Sequence, residues 1–248
     1  MQLSKNLTGE FLGTALLLAT VVGSGILMHK LDPGNVAVTL MGIAIATGAI
    51  LITLINTFGA RSAQFNPVVA LMSAIQGNLP WRQVPVYMAA QIAGAIAGVI
   101  VTSLMFDLPA VTFSATARGG TGVWISEALA TFGLVGTIIG CSRFKPEAVP
   151  QAVAAYVAAA IMFTSSTCFA NPAVSISRMF TNTLCGILPA DVPAFIASEL
   201  IGLALGLAVF SWLFGEDKTA GKVADSLEKE WSAIAKEREL VLNSRREK

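Results

Sequence analysis

Ala170-Asn171-Pro172-Ala173-Val174-Ser175-Ile176-Ser177-Arg178-Met179-Phe180 decides how this chain folds. It is too short to cross a bilayer, which takes about 20 apolar residues, and it lies between two long apolar runs. Asn171 ahead of Pro172 reads as a helix start. The Asn side chain accepts from free backbone N–H groups, and Pro is preset for the first helical position. The spacing predicts a half-helix of about three turns over 172–183. Lipid cannot satisfy the free ends of a short helix, so it is expected inside the protein or along a cavity. The same construction stands 105 residues earlier, in Gln64-Phe65-Asn66-Pro67-Val68-Val69-Ala70-Leu71-Met72. One such start is weak; two at corresponding places in two halves are a pattern.

Composition agrees with a membrane body. The 248 residues are 54% hydrophobic and 12% charged, against about 25% charged in soluble domains. Eight acidic and eight basic residues fall after Gly215, about half of all the charges. Residues 1–215 therefore read as a membrane domain and 216–248 as a charged, amphipathic cytoplasmic tail. A net charge of +1 gives no reason to expect nucleic acid as a partner. Cys141, Cys168 and Cys185 show neither a disulfide framework nor metal spacing. His29 is the only histidine, so a His-based metal site or catalytic triad has no material. No metal, cofactor or enzyme activity is expected.

Six runs are long and apolar enough to span a bilayer: 7–28, 36–58, 84–105, 123–141, 148–168 and 192–214. The half-helices follow the second and fifth. Glu10-Phe11-Leu12-Gly13-Thr14 resembles Glu127-Ala128-Leu129-Ala130-Thr131, and Gln91-Ile92-Ala93-Gly94 resembles Glu199-Leu200-Ile201-Gly202. The chain thus reads as a duplication, about 1–110 and 120–215. Three spans per half is an odd number, so the halves are inverted, and inverted repeats with broken helices set a solute path at their interface. Gly94, Gly98, Gly202 and Gly206 recur at spacing four, which suits close helix packing. Lys5, Arg61, Arg82, Arg143 and Lys145 fall on one side, and Lys30, Arg118 and Arg178 on the other. That bias predicts both termini in the cytoplasm, at the plasma (inner) membrane, with 107–121 as a long outer loop.

Two half-helix N-termini facing each other put positive dipole ends at the midplane. The amides of Asn66 and Asn171 stand beside them as donors. A neutral hydroxylated solute trades water for these groups, while a cation loses hydration and meets positive ends. The sequence resembles the aquaporin (major intrinsic protein) family through its paired Asn-Pro half-helices, the Glu in the first and fourth spans, and the three-plus-three layout. The resemblance covers 5–215. It implies an all-α membrane protein, a right-handed bundle of six transmembrane helices plus two re-entrant half-helices, a pore in each subunit, and a homotetramer. It places Asn66, Val68, Asn171 and Ala173 at the pore midplane, and gives Glu10 and Glu127 the role of accepting from re-entrant loop backbone.

The departures bear on the solute. Val68 stands where the family usually has Ala, with its methyls expected to face the midplane. Val174 stands where water-selective members carry Arg directly after the second Asn-Pro-Ala. The resemblance then sets the selectivity filter at Thr47, Ala159, Cys168 and Val174, with nothing aromatic, imidazole or guanidinium in it. A wide neutral constriction admits solutes larger than water: glycerol, other small polyols, or metalloid hydroxides such as arsenite, As(OH)3. The run from Asn171 to Phe180 is similar to a bacterial branch associated with arsenite. Arg178 is weighed as an outer-mouth charge against an Arg that snorkels or caps a loop carbonyl, and the second is favoured. Cys168 is read as a small pore-wall residue. The alternatives are a water-selective aquaporin and a coupled secondary transporter, for which only Glu10, Glu127 and Glu199 supply buried carboxylates.

Overall fold

The structure is a computed structural model, and it describes residues 2–215. The tail expected over 216–248 lies outside the described residues. Met1–Ser211 form one compact unit, and a second begins at Trp212. Among the described residues there are eight α-helices and no strand. In chain order they are α1 (Gln2–Leu31), α2 (Val36–Phe58), α3 (Pro67–Ile75), α4 (Val84–Met105), α5 (Thr121–Phe144), α6 (Val149–Phe163), α7 (Pro172–Ser177) and α8 (Val192–Leu213). All but α3 and α7 belong to stretches long and apolar enough to cross a membrane, six in number. Proline sets the entrances of the later spans. Single 3-10 turns at Trp81–Gln83, Pro146–Ala148 and Pro189–Asp191 lead into Val-Pro pairs that open α4, α6 and α8.

Two expected boundaries move. The fifth span was expected to reach Cys168, but α6 stops at Phe163 because Thr164 takes extended backbone (φ −96°, ψ 140°). Beyond it Thr167, Cys168 and Ala170 adopt φ of 61°, 48° and 47°, which no right-handed helix accommodates. The second half-helix was expected to reach Thr183. Its α part ends at Ser177, a 3-10 turn carries it to Phe180, and Thr181 is extended.

The small residues at spacing four have a direct use. α4 lies against α1 so closely that a Cβ at Gly98 would sit 2.2 Å from the Ala15 carbonyl oxygen. In the second half, a Cβ at Gly202 on α8 would sit 2.3 Å from the Ala128 carbonyl oxygen on α5. The two halves thus repeat one packing solution, backbone against backbone.

The 107–120 connection folds back onto the second re-entrant segment. Thr112 N donates to Phe180 O at 3.1 Å, Ser114 N to Met179 O at 2.9 Å, and Leu188 N to Thr116 O at 2.7 Å. Ser114 is buried as a result. The irregular backbone of one segment is thereby paired with irregular backbone of the other.

Candidate functional site: the half-helix junction and its cavity

Each half-helix is capped by its own asparagine. Asn66 Oδ1 accepts from Val68 N and Asn171 Oδ1 from Ala173 N, both at 2.9 Å. The donor end of each amide crosses to the other half. Asn66 Nδ2 donates to Ala170 O at 2.7 Å, and Asn171 Nδ2 donates to Phe65 O at 2.8 Å. The exchange is reciprocal, as a two-fold relation between the halves requires. It ties the two helix starts together, and each NH2 group keeps one N–H uncommitted.

The carbonyls that receive these bonds are aimed by strained backbone. Phe65 and Ala170, themselves 105 apart, hold φ of 52° and 47°. Such left-handed φ costs an L-residue with a Cβ about 1–2 kcal/mol, so something must hold it. Buried carboxylates do. Glu10 on α1 accepts from Gln64 N at 2.9 Å, Phe65 N at 2.7 Å, Gln91 Nε2 at 2.8 Å and the Ser62 hydroxyl. Glu127 on α5 accepts from Phe169 N at 3.2 Å and from Ala170 N. Glu199 on α8 adds Asn171 N at 3.1 Å and Ser175 Oγ at 2.7 Å. Glu199 holds the place that Gln91 has in the first half. The sequence repeat aligned the two positions but did not show that Glu199 grips the second helix start.

A cavity of about 360 Å³ passes this junction. Along α2 it is lined by Val36, Leu40, Ile43, Thr47, Leu51 and Ile55, a stripe at helical spacing. Nineteen residues at about 1.5 Å each give about 29 Å, close to the hydrocarbon thickness of a bilayer. Val149, Val153, Val157 and Ile161 form the matching stripe on α6. Between them Ala63, Gln64, Phe65, Asn66 and Val69 recur at +105 as Cys168, Phe169, Ala170, Asn171 and Val174.

Asn66, Asn171, Thr47, Cys168 and Val174 therefore lie on the cavity wall. Thr47 Oγ1 has no hydrogen-bond partner among the described residues. Three assigned residues lie off the wall. Ala159 is on the exposed face of α6 and does not line the cavity; Val157, two residues earlier, does. A shift of two residues turns a helical side chain by about 200°. Val68 and Ala173 are fully buried behind the wall, where their N–H groups receive the caps. Val69 faces the cavity in place of Val68.

Two guanidiniums stand on the cavity wall beyond the four filter positions. Arg178 lines the cavity, 5% exposed, with Nε donating to the Cys185 carbonyl. It thus caps a loop carbonyl and faces the cavity at once. Arg118, carried in by the 107–120 connection, lines the cavity too. It donates from Nε to Gly186 O at 2.7 Å, from Nη2 to Leu184 O at 3.0 Å and from Nη1 to Thr167 Oγ1 at 3.4 Å. Its backbone N donates to Asp191 at 2.7 Å. Burial lowers the Arg118 pKa from its ordinary value, and the guanidinium remains charged at neutral pH. Nothing in the sequence marked Arg118, because its loop has no motif. Cys141, Cys168 and Cys185 are free, and no metal-holding cluster is present among the described residues.

Half-helices tied at their capped starts beside a cavity as long as a bilayer core, inside six apolar spans, define a membrane channel. The model of the family "Major intrinsic protein" matches residues 1–163, and the chain belongs to that family. It is 49% identical over 212 residues to the aquaglyceroporin AqpS of Rhizobium meliloti (strain 1021), covering 85% of this chain and 91% of the relative. It is 29% identical over 232 residues to a probable NIP-type aquaporin of Nicotiana alata, covering 90% and 82%. In structure it is similar to the aquaglyceroporin from Plasmodium falciparum, with TM-score 0.63, 20% identity, and 90% and 99% of the chains covered. That last likeness bears on the fold alone.

Proposed function

We propose that the chain is a passive channel whose constriction admits neutral hydroxylated solutes larger than water: glycerol, other small polyols and metalloid hydroxides such as As(OH)3, with water as well. The carrying observation is Val174. The first turn of the second half-helix presents an isopropyl group to the cavity where a water filter presents a guanidinium. Thr47, Cys168 and Val157 add small and aliphatic side chains to a wall that Phe169, Arg118 and Arg178 also line. The unpartnered Thr47 hydroxyl and the spare N–H of Asn66 and Asn171 are groups a solute hydroxyl can use. The similarity to a protein named an aquaglyceroporin supports the same reading.

Arg118 and Arg178 on the wall favour a second reading, a water-selective pore narrowed by two guanidiniums. A coupled transporter has less support, since Glu10, Glu127 and Glu199 are absent from the cavity lining and bind loop backbone or its capping groups. Homotetramer assembly, the inner membrane as location and cytoplasmic termini complete the proposal. Apolar residues such as Leu16, Ile45, Val101 and Ile125 are exposed on the outside of the bundle, where lipid and neighbouring subunits would cover them.

Light scattering of proteoliposomes after an osmotic step tests this, with water, glycerol and As(OH)3 compared in the wild type and Val174→Arg. The wild type is expected to pass all three, and the Arg variant to keep water and lose the larger solutes. A wild type that passes water alone selects the second reading.

A further inference from the structure

Two arginines face one cavity, and among the described residues neither has a carboxylate at hydrogen-bonding distance of its guanidinium. The acceptors of their side chains are the carbonyls of Leu184, Cys185 and Gly186 and the Thr167 hydroxyl. Each guanidinium carries five N–H donors. Arg118 commits three and Arg178 one, so six remain. The Arg178 side chain is more than nine-tenths buried, and its two terminal amino groups have no protein acceptor among the described residues.

Both guanidiniums sit over the same ring. Arg178 Cζ is 3.7 Å and Arg118 Cζ 5.1 Å from the Phe169 centroid. The ring quadrupole holds cations in place but satisfies none of the free N–H groups. A buried charge without a hydrogen-bonded counter-ion is costly, and two of like sign on one ring add their repulsion, offset in part by the field of Glu127. A small, oxygen-rich anion accepts these N–H bonds and offsets the charge as well, whereas a neutral hydroxyl does only the first. The planar fork of a guanidinium matches such a ligand in bidentate fashion, as an ammonium does not. A second recess, lined in part by Lys30, Thr116, Asn182 and Thr183, shares Leu184 with the cavity and likewise lacks a carboxylate.

We propose that Arg118 and Arg178, stacked on Phe169, form a subsite at the Leu184 end of the cavity that takes a small, singly charged oxyanion by its oxygens. An oxyanion held there occupies the path assigned above to neutral solutes, so the effect on flux rests on that reading, while the binding does not. The connecting loop thereby becomes part of the specificity apparatus, supplying from outside the half-helix a charge that Val174 leaves out.

The test uses inorganic phosphate in mildly acidic buffer, where most of it is the monoanion, with chloride at equal ionic strength as control. Titration calorimetry on the purified full-length protein is expected to show saturable phosphate binding. Affinity should fall at least about tenfold in Arg178→Gln or Arg118→Gln, as loss of a charge-assisted bond predicts. Arg178→Lys, which keeps the charge and loses the fork, should fall between, and serves if a Gln variant does not purify. In proteoliposomes, phosphate on both sides should slow glycerol entry saturably in the wild type. Wild-type binding no stronger than chloride, or unchanged affinity in the variants, overturns the subsite. Phosphate binding without glycerol flux overturns the solute reading and leaves the subsite standing.

Discussion

Glu10 and Glu199 are both fully buried carboxylates at a half-helix start, yet replacing each by Gln should have opposite consequences. All four partners of Glu10 are donors, shared between both of its oxygens. Gln keeps one oxygen and turns an NH2 towards two of those donors. The Ser62 hydroxyl, or the Gln91 amide turned to present its unpartnered Oε1, can accept from that NH2, so one backbone N–H, of Gln64 or Phe65, is left unsatisfied at a cost of about 1–3 kcal/mol. Glu199 uses Oε1 alone, and its Oε2 has no partner among the described residues. A Gln there keeps both bonds through its carbonyl and is neutral beside Glu127. Its cost should be near zero, and the first half already carries Gln91 at the equivalent place. The assay is thermal unfolding of the detergent-purified protein, followed by tryptophan fluorescence. At about 2–4 °C per kcal/mol for a chain of this size, Glu10→Gln should lower the midpoint by about 6 °C, and Glu199→Gln by no more than a degree or two. Equal shifts, or a larger one for Glu199→Gln, would refute the argument that donor count at each oxygen sets the cost.

Two further outcomes follow from close contacts at other places. Gly98→Val sets a branched side chain where even a Cβ is 2.2 Å from the Ala15 carbonyl; separating α1 from α4 should cost about 1–3 kcal/mol, read as a lower unfolding midpoint. A small mercurial should slow solute flux in the wild type through Cys168 on the cavity wall, and Cys168→Ser should remove the effect. Block that persists in that variant would point to Cys141 or Cys185 instead.

The half-helices were legible because their cause is local. An asparagine that caps the N–H two residues on, with proline between, needs nothing from the rest of the chain. The six spans were legible because length and apolarity are sums over one segment. Their ends were less so: α6 stops at Phe163, inside an apolar run, because the following loop is held by Glu127 from another helix. The face of each span was hidden. In a soluble helix the apolar stripe marks the inside, but here lipid and cavity are both lined with aliphatic residues. Val157 and Ala159 look alike as sequence, though one faces the cavity and the other is exposed.

The sequence by itself thus determined the duplicated layout, the membrane body and the two capped starts, all set by composition or by neighbours a few residues apart. Tertiary structure alone decided what lines the path. Arg118 reaches it because carbonyls some 66–68 residues further on accept its side-chain N–H groups, and Glu199 grips Asn171 from 28 residues away. Contacts across such separations depend on how the helices pack, and packing between backbone surfaces as close as those at Gly98 and Gly202 is fixed only once the partner helices are in place.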